Sequence, residues 1–285
     1  MKTACMSRVR HFGCAAQISG ALLAASFGAP VLAVEGTVHL EPREDGTVFG
    51  YRGNRGPAFW GDLDPAWSEC KEGSAQSPVD LGQSRRRNLP GPEFHYQRSR
   101  IEVLNNGHTI EFKYDPGSQL RLGEDVFELT QFHFHTPSEH TFAGGANFPV
   151  EMHLVHSDPG GRLAVVGLML IEGEHNPALP FGRRFGQLMP REEGVTYELA
   201  ESVDVGALLP ESRASFRYRG SLTTPPCSEL VMWLVLEQPI ELSGGQLHEL
   251  REALNQLKYG SGEGNNNRPT QPLNGRSVSY DAGSP

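Results

Sequence analysis

Phe132-His133-Phe134-His135 sets two imidazoles two residues apart. In an extended strand, period two puts His133 and His135 on one face and both phenylalanines on the other. Two neutral imidazoles side by side form half of a divalent-metal site. Glu151-Met152-His153-Leu154-Val155-His156 also reads as a strand. Paired beside the first, it brings His153 as a third nitrogen, whereas His156 has the opposite parity and points elsewhere. Three imidazoles leave a tetrahedral zinc ion one open position for water. Neutral ligands do not cancel the ion's charge, so the pKa of that water falls from about 15.7 to about 7. Hydroxide then becomes available at neutral pH to attack an electrophilic carbon. Gln131 shares a face with His133, and Glu151 with His153. Each can accept an imidazole N–H and fix the tautomer that leaves the other nitrogen for metal. For H-x-H alone, a pair of satisfied surface histidines is the plainer reading. The neighbouring E-x-H and the matched acceptors weigh against it.

These strands need a sheet to hold them. Ile101 to Leu104 and Thr109 to Tyr114 flank the turn signal Asn105-Asn106-Gly107. Leu120 to Leu122 leads through Gly123-Glu124-Asp125 into Val126 to His135. Val150 to His156 and Leu163 to Ile171 are joined by Asp158-Pro159-Gly160-Gly161, and Leu230 to Leu236 is a further apolar strand. Helical spacing is confined to Asn176 to Leu188 and Gly245 to Tyr259, the latter carrying Leu247, Leu250, Leu254 and Leu257. The expectation is one mainly β domain with short helices at its edges. The 33 glycines and 21 prolines fit many turns, but without a G-X-Y period they exclude collagen.

The formal charge of -9 argues against a nucleic-acid binder, which needs a basic face. Residues 1–33 read as an export signal. Lys2, Arg8 and Arg10 precede a small apolar run, and Val31-Leu32-Ala33 suits cleavage. Polar residues interrupt the run, and it is short for a membrane span of about 20 residues. Cleavage leaves a domain over 34–285, a charge of -12 (three cations and no acid leave), and two of four cysteines, Cys70 and Cys227. In an exported chain two cysteines suggest one disulfide, the alternative being two free buried thiols. The expected location is the periplasm, with full secretion as the other outcome and no stable membrane association. Residues Glu35 to Gly56 read as a polar arm, and the Gly/Asn-rich stretch Gly260 to Asn267 as a loop.

Taken in order, the blocks Phe49-Gly50-Tyr51, Gln76-Ser77-Pro78-Val79-Asp80, Leu104-Asn105-Asn106-Gly107-His108, Gln131 to His135, Ser138-Glu139-His140-Thr141, Glu151 to His156, Gly220 to Cys227 and Arg268 to Leu273 resemble the α-class carbonic anhydrases, in particular the exported bacterial branch. The resemblance runs from about Phe49 to Arg276. It implies a central, mostly antiparallel sheet of about ten strands and a zinc enzyme for the hydration of CO2 to bicarbonate and a proton. His133, His135 and His153 match the zinc ligands. Thr223 matches the threonine that donates to a glutamate, here Glu139, and accepts from the nucleophile. Thr224 matches a substrate contact. Val155, Val165, Leu222, Val231 and Trp233 match the apolar wall for CO2. Tyr51, Asn106 and Gln131 match residues that order water. His108 matches the proton shuttle, an imidazole expected to be mobile at the cavity mouth and to titrate near 6.5. Cys70 and Cys227 match a disulfide that would brace the Thr223 loop. A weak esterase side activity is also implied. Phe142 to Phe148, Asn267 and Leu230, which stands where a glycine is common, depart from the pattern.

Two other readings compete. H-x-H followed by Glu139 also opens a cupin metal motif, in which that glutamate would bind iron or manganese. The second cupin half, P-x-G-x-x-H, has Val150-Glu151 in the wrong place. A non-catalytic binding module of the same fold would have lost ligands that are intact here. The expected assembly is a monomer or a homodimer.

Overall fold

Alternating apolar and polar residues produce strands with two different faces, and thirteen strands among the described residues pair into one sheet. The computed structural model describes residues 48–142, 144–179, 189–260 and 265–283. All of them lie in one compact unit, Gly36–Pro285. The strands are β1 (Arg85–Arg86), β2 (Pro92–His95), β3 (Ile101–Asn105), β4 (Ile110–Tyr114), β5 (Gln119–Leu122), β6 (Asp125–His135), β7 (Val150–Ser157), β8 (Leu163–Glu172), β9 (Thr196–Glu198), β10 (Ser215–Ser221), β11 (Glu229–Leu236), β12 (Ile240–Leu242) and β13 (Ser279–Asp281). The main path is β1-β13-β10-β11-β8-β7-β6-β4-β3-β9, ten strands, with β2, β5 and β12 beside it. Most pairs are antiparallel. The parallel ones are β1 with β13 and β8 with both β11 and β12. No helix among the described residues is long and apolar enough to cross a membrane.

The two faces of the sheet serve different ends. One packs Phe112, Phe132, Phe134, Met152, Leu154 and Val166 into the larger core. The helix α3 (Gly244–Asn255) closes this core with Leu247, Leu250 and Leu254, its start fixed by a Ser243–Gln246 capping box. Leu257 lies past the helix end but joins the same core. The opposite face carries the histidines and a smaller cluster around Val165, Met169, Val231 and Trp233. A third cluster gathers Phe49, Trp60 and Trp67 around Cys70 and Cys227, next to the short helices α1 (Trp60–Leu63) and α2 (Glu69–Glu72). Of the helix expected over Asn176 to Leu188, residues 180–188 lie outside the described residues, and 176–179 form a turn. The expected signal also lies outside them.

Strict alternation does not run the length of β6. Leu129 pairs with His156 and Gln131 with Val155, so Thr130 is an extra residue. The bulge reverses parity. Phe127 and Leu129 enter the larger core before it, and Phe132 and Phe134 after it, which turns Gln131, His133 and His135 to the opposite face. A second bulge leaves Leu230 unpaired between Val231, opposite Gly220, and Glu229, opposite Ser221.

Leu230 has φ 75 and is 76% exposed. A left-handed leucine costs roughly 1–2 kcal/mol, and here burial returns little. Leu230→Gly is expected to raise stability by about 1 kcal/mol, the gain being trimmed by a more flexible unfolded chain. In a thermal melt this reads as a midpoint about 2–4 °C higher, and an unchanged or lower midpoint contradicts it. Cys70 and Cys227 are joined across a separation of 157 residues. Reduction is expected to cost about 2–5 kcal/mol in a urea titration, and equal midpoints for the oxidised and reduced chains contradict that.

Candidate metal centre and its cavity

The register of β6 and β7 places His133 directly opposite His153, with His135 opposite Glu151. Candidate ligand atoms of His133, His135 and His153 lie within 4.8 Å of one another. Each ring has one nitrogen committed to the protein. His133 Nδ1 donates to Gln131 Oε1 at 2.8 Å, His135 Nδ1 to the Asn266 carbonyl at 2.7 Å, and His153 Nε2 to Glu151 Oε1 at 2.8 Å. The free nitrogens are therefore Nε2, Nε2 and Nδ1. His135 Nε2 is buried without a partner, as expected of an atom that awaits a metal. Burial, helped by the neighbouring rings, holds His133 well below the usual imidazole range. It brings His135 down to about 4 and lowers His153 against the pull of Glu151. The rings are thus neutral, the form that donates a lone pair. These donors fit a tetrahedral zinc ion with an open position.

A second acidic and imidazole cluster, His140, Glu151 and His153, is closed on itself. Glu151 Oε2 accepts the backbone N–H groups of Glu139 and His140, and Oε1 accepts His140 Nδ1 and His153 Nε2. Burial opposes ionisation of Glu151. The ring N–H groups of His140 and His153 that donate to it more than offset this and hold the carboxyl well below its usual range. His140 Nε2 in turn accepts the Tyr218 hydroxyl at 2.7 Å, and that hydroxyl meets Ser77 Oγ at 2.9 Å. His140, Tyr218 and Asn266 join the hydrogen bonds around the imidazole cluster, and sequence reading gave none of them a role, because nothing in local spacing links them to β6 or β7. Gly167, opposite His153, leaves room for this arrangement, since a Cβ there would meet Glu151 Oε1 at 3.0 Å.

The imidazoles open into a cavity of roughly 770 Å³, part of it open to solvent. Val155, Val165, Leu222 and Trp233 line it beside Thr223 and Thr224. Val231 is buried with the wall cluster but is not a lining residue. Tyr51, Asn106 and Gln131 line the polar side. Glu139 is buried 3.5 Å from His135 Nδ1, and its Oε1 accepts the Arg268 backbone N–H. Burial raises its pKa to about 7 against the His153, Arg268 and Thr223 interactions. The neighbouring Thr223 side chain favours the ionised form of Glu139, whose Oε2 has no hydrogen-bond partner among the described residues. His156, as its parity requires, faces away: Nδ1 donates to the Ala164 carbonyl, and Nε2 accepts the Tyr96 hydroxyl at 2.6 Å.

His108 differs from expectation. Its ring is sandwiched between Phe49, 3.6 Å away at 6°, and Tyr259, 4.8 Å away. Burial pushes its pKa down to about 3, not near 6.5. The turn that presents it is fixed by Asn106 Oδ1, which accepts the N–H groups of His108 and Thr109, and two aromatic faces take the place of solvent.

A three-imidazole cluster on the central strands of the sheet, beside an apolar cavity wall, is a group capable of holding a metal ion. The family model of the eukaryotic-type carbonic anhydrases matches residues 55–282. A Pectobacterium carotovorum protein named carbonic anhydrase is 39% identical over 82% of this chain and 91% of its own length. The α-carbonic anhydrase of Thermovibrio ammonificans, solved with the inhibitor sulfanilamide, is 40% identical with a TM-score of 0.75. That match covers 82% of this chain and 99% of the other. Dioscorin, solved with ascorbate, is 30% identical with a TM-score of 0.75, over 83% and 99% of the two chains. The chain belongs to the eukaryotic-type carbonic anhydrase family and is an enzyme of that family, whose reaction is the hydration of CO2. The cupin reading falls with this. Glu139 is engaged by Arg268 and Thr223 and stands outside the three-imidazole set.

Glu151→Gln removes one acceptor oxygen from a fully used carboxylate. It is expected to weaken zinc binding about 10–100-fold, read by competition with a chelator, and unchanged affinity would contradict the orienting role.

Proposed function

We propose that this chain catalyses the reversible hydration of CO2 to bicarbonate and a proton, with zinc held by His133, His135 and His153. The observation that carries the reading is the three-ring cluster, in which every ring has one nitrogen tied to the protein and the other free. Bound there, zinc supplies the acidity that makes a water molecule nucleophilic near pH 7.

The chain's own groups do the rest. Gln131, Glu151 and Asn266 fix the tautomers, so no ring has to reorient before reaction. Thr223 spends its proton on Glu139 and is left to accept a hydrogen bond from the attacking oxygen, which aims a lone pair at the substrate carbon. Val155, Val165, Leu222 and Trp233 form a dry wall suited to CO2, which has no charge to solvate. Thr224, on the same rim, offers a hydroxyl to the bicarbonate product. Tyr51, Asn106 and Gln131 supply the polar side along which cavity water is ordered. The same nucleophile accounts for a weak esterase activity. His108 occupies the family's relay position, but its aromatic sandwich favours the neutral ring.

The Cys70–Cys227 bond and the signal-like residues 1–33 support export to the periplasm. The test is stopped-flow CO2 hydration on the purified chain, beside His133→Ala, with zinc quantified. The expected outcome is about one zinc per chain. In the variant, hydration should fall by more than the roughly 10–100-fold typical of losing an outer-shell partner. One zinc per chain without hydration would overturn the reading and favour a binding module.

A further inference from the structure

An imidazole relays a proton by taking it on one ring nitrogen and releasing it from the other. His108 lines the cavity, but its Nδ1 is buried and has no partner among the described residues. With one nitrogen sealed off, a ring fixed in this place has no second site from which to release a proton. To serve as a relay it must first leave the sandwich between Phe49 and Tyr259.

The two walls of that sandwich are built differently. Phe49 is anchored in the third cluster, edge-on to Trp60 at 5.2 Å and to Trp67 at 6.0 Å. Tyr259 lies just past the end of α3 and, among the described residues, belongs to none of the three clusters. Its backbone is pinned. The Tyr259 N–H donates to the Gly107 carbonyl at 3.0 Å, and its carbonyl accepts the Tyr51 N–H at 3.3 Å. The turn that carries His108 is thereby tied to the N-terminal arm. Gly107, at φ 82, lets the Tyr259 ring close, because a Cβ there would meet its Cδ2 at 2.7 Å. The ring itself is held from outside. Its hydroxyl donates to Glu193 Oε2 at 3.2 Å, Lys258 Nζ donates to the same oxygen at 2.7 Å, and the ammonium lies 4.9 Å from the ring centre. Lys258 is exposed, and an exposed ion pair holds only weakly in water. Tyr259 is thus the wall that can open without disturbing a core.

The titratable groups around His108 are Tyr51 from the arm, Glu111 from β4 and the three cluster imidazoles of β6 and β7, all lining the same cavity. Lys258, Tyr259 and Glu193 stand on the outer side. Burial, and no neighbouring charge, pushes His108 down to about 3, so removing a wall of the sandwich acts directly on this ring.

We propose that Tyr259 is a positioning residue for His108, its ring a lock that must swing aside before His108 carries a proton out of the cavity. The role rests on the hydration reading above. In the open state a cavity water gives its proton to one imidazole nitrogen, an O–H bond breaking as an N–H bond forms. The N–H on the other nitrogen then breaks to a buffer base, leaving a neutral ring. No electrons change hands.

The test uses the zinc-loaded chain, Tyr259→Ala and Tyr259→Phe. In an NMR titration the His108 signal is identified by its loss in His108→Ala. The unaltered chain and Tyr259→Phe, which keeps the ring, are expected to show a neutral His108 between pH 5 and 8, whereas in Tyr259→Ala it should titrate near 6.5. In CO2 hydration at low buffer, Tyr259→Ala is expected to raise kcat several-fold with kcat/KM unchanged. Adding His108→Ala should abolish that gain. Glu193→Gln, which frees the ring without truncating it, should shift titration and kcat in the same direction by less, and it keeps the test open if Tyr259→Ala does not fold. A His108 titration and a low-buffer kcat unmoved by both variants would overturn the proposal. So would a change in kcat that persists without His108, or one that kcat/KM follows in parallel, which marks a merely structural role. Hydration absent from the unaltered chain overturns the hydration reading and the relay with it, whereas normal hydration with an unmoved His108 titration overturns the lock alone.

Discussion

The fully buried Glu151 carboxylate is the contact on which the site depends. A carboxylate offers about four lone-pair sites, and all four are used here. Two backbone N–H groups of the Glu139-His140 turn, a ring nitrogen of His140 and a ring nitrogen of His153 converge on it at 2.6–2.8 Å. An anion with no water would be costly without this set. With it, one side chain fixes the tautomer of a ligand ring and also the backbone that carries Glu139. The tie continues through His140 to Tyr218 on β10 and to Ser77, so distant strands share one hydrogen-bonded line.

Arg268 plays the corresponding part on the other side. It is 1% exposed, and its backbone N–H meets Glu139. Its guanidinium donates to Gln76, to the Ser77 carbonyl and to the Cys70 carbonyl, and lies 5.6 Å over the Trp60 ring. Burial lowers its pKa to about 10, which still leaves it charged at neutral pH. The Glu139 carboxylate, the disulfide and the aromatic cluster of Phe49, Trp60 and Trp67 are therefore held by one cation. This bracing reaches the Thr223 loop from both ends, since Cys227 closes that loop through its own N–H to the Thr224 carbonyl.

The cavity shows what the fold does to ordinary residues. His108 and Glu111 are three positions apart, yet burial moves them in opposite directions, to about 3 and about 7. Desolvation disfavours whichever form is charged. The imidazole loses its cationic form against Phe49 and Tyr259, and the carboxyl gains its neutral one at the cavity wall. The chemistry available at this end of the cavity is thus set by packing as much as by residue type.

Local pattern and the ordered motifs made much legible. The alternation around His133 and His135, the parity that separates His153 from His156, the acceptors Gln131 and Glu151 and the main strands follow from period two, because strand geometry is local. The strands β1, β2, β9, β10, β12 and β13 escaped that reading: all but β10 are runs of two to four residues that carry too little periodicity and exist through their partners, and the seven residues of β10 were not recognised as a strand at all. So did the Thr130 bulge, which turns the histidines to the cavity face. The hydrogen bonds of Asn266 and Arg268 to residues 129 to 198 positions earlier, the sandwich around His108 and the solvent-poor setting of Glu111 were decided by tertiary structure alone. Each depends on groups that sequence spacing does not bring together, and burial acts on charge only after those groups have met.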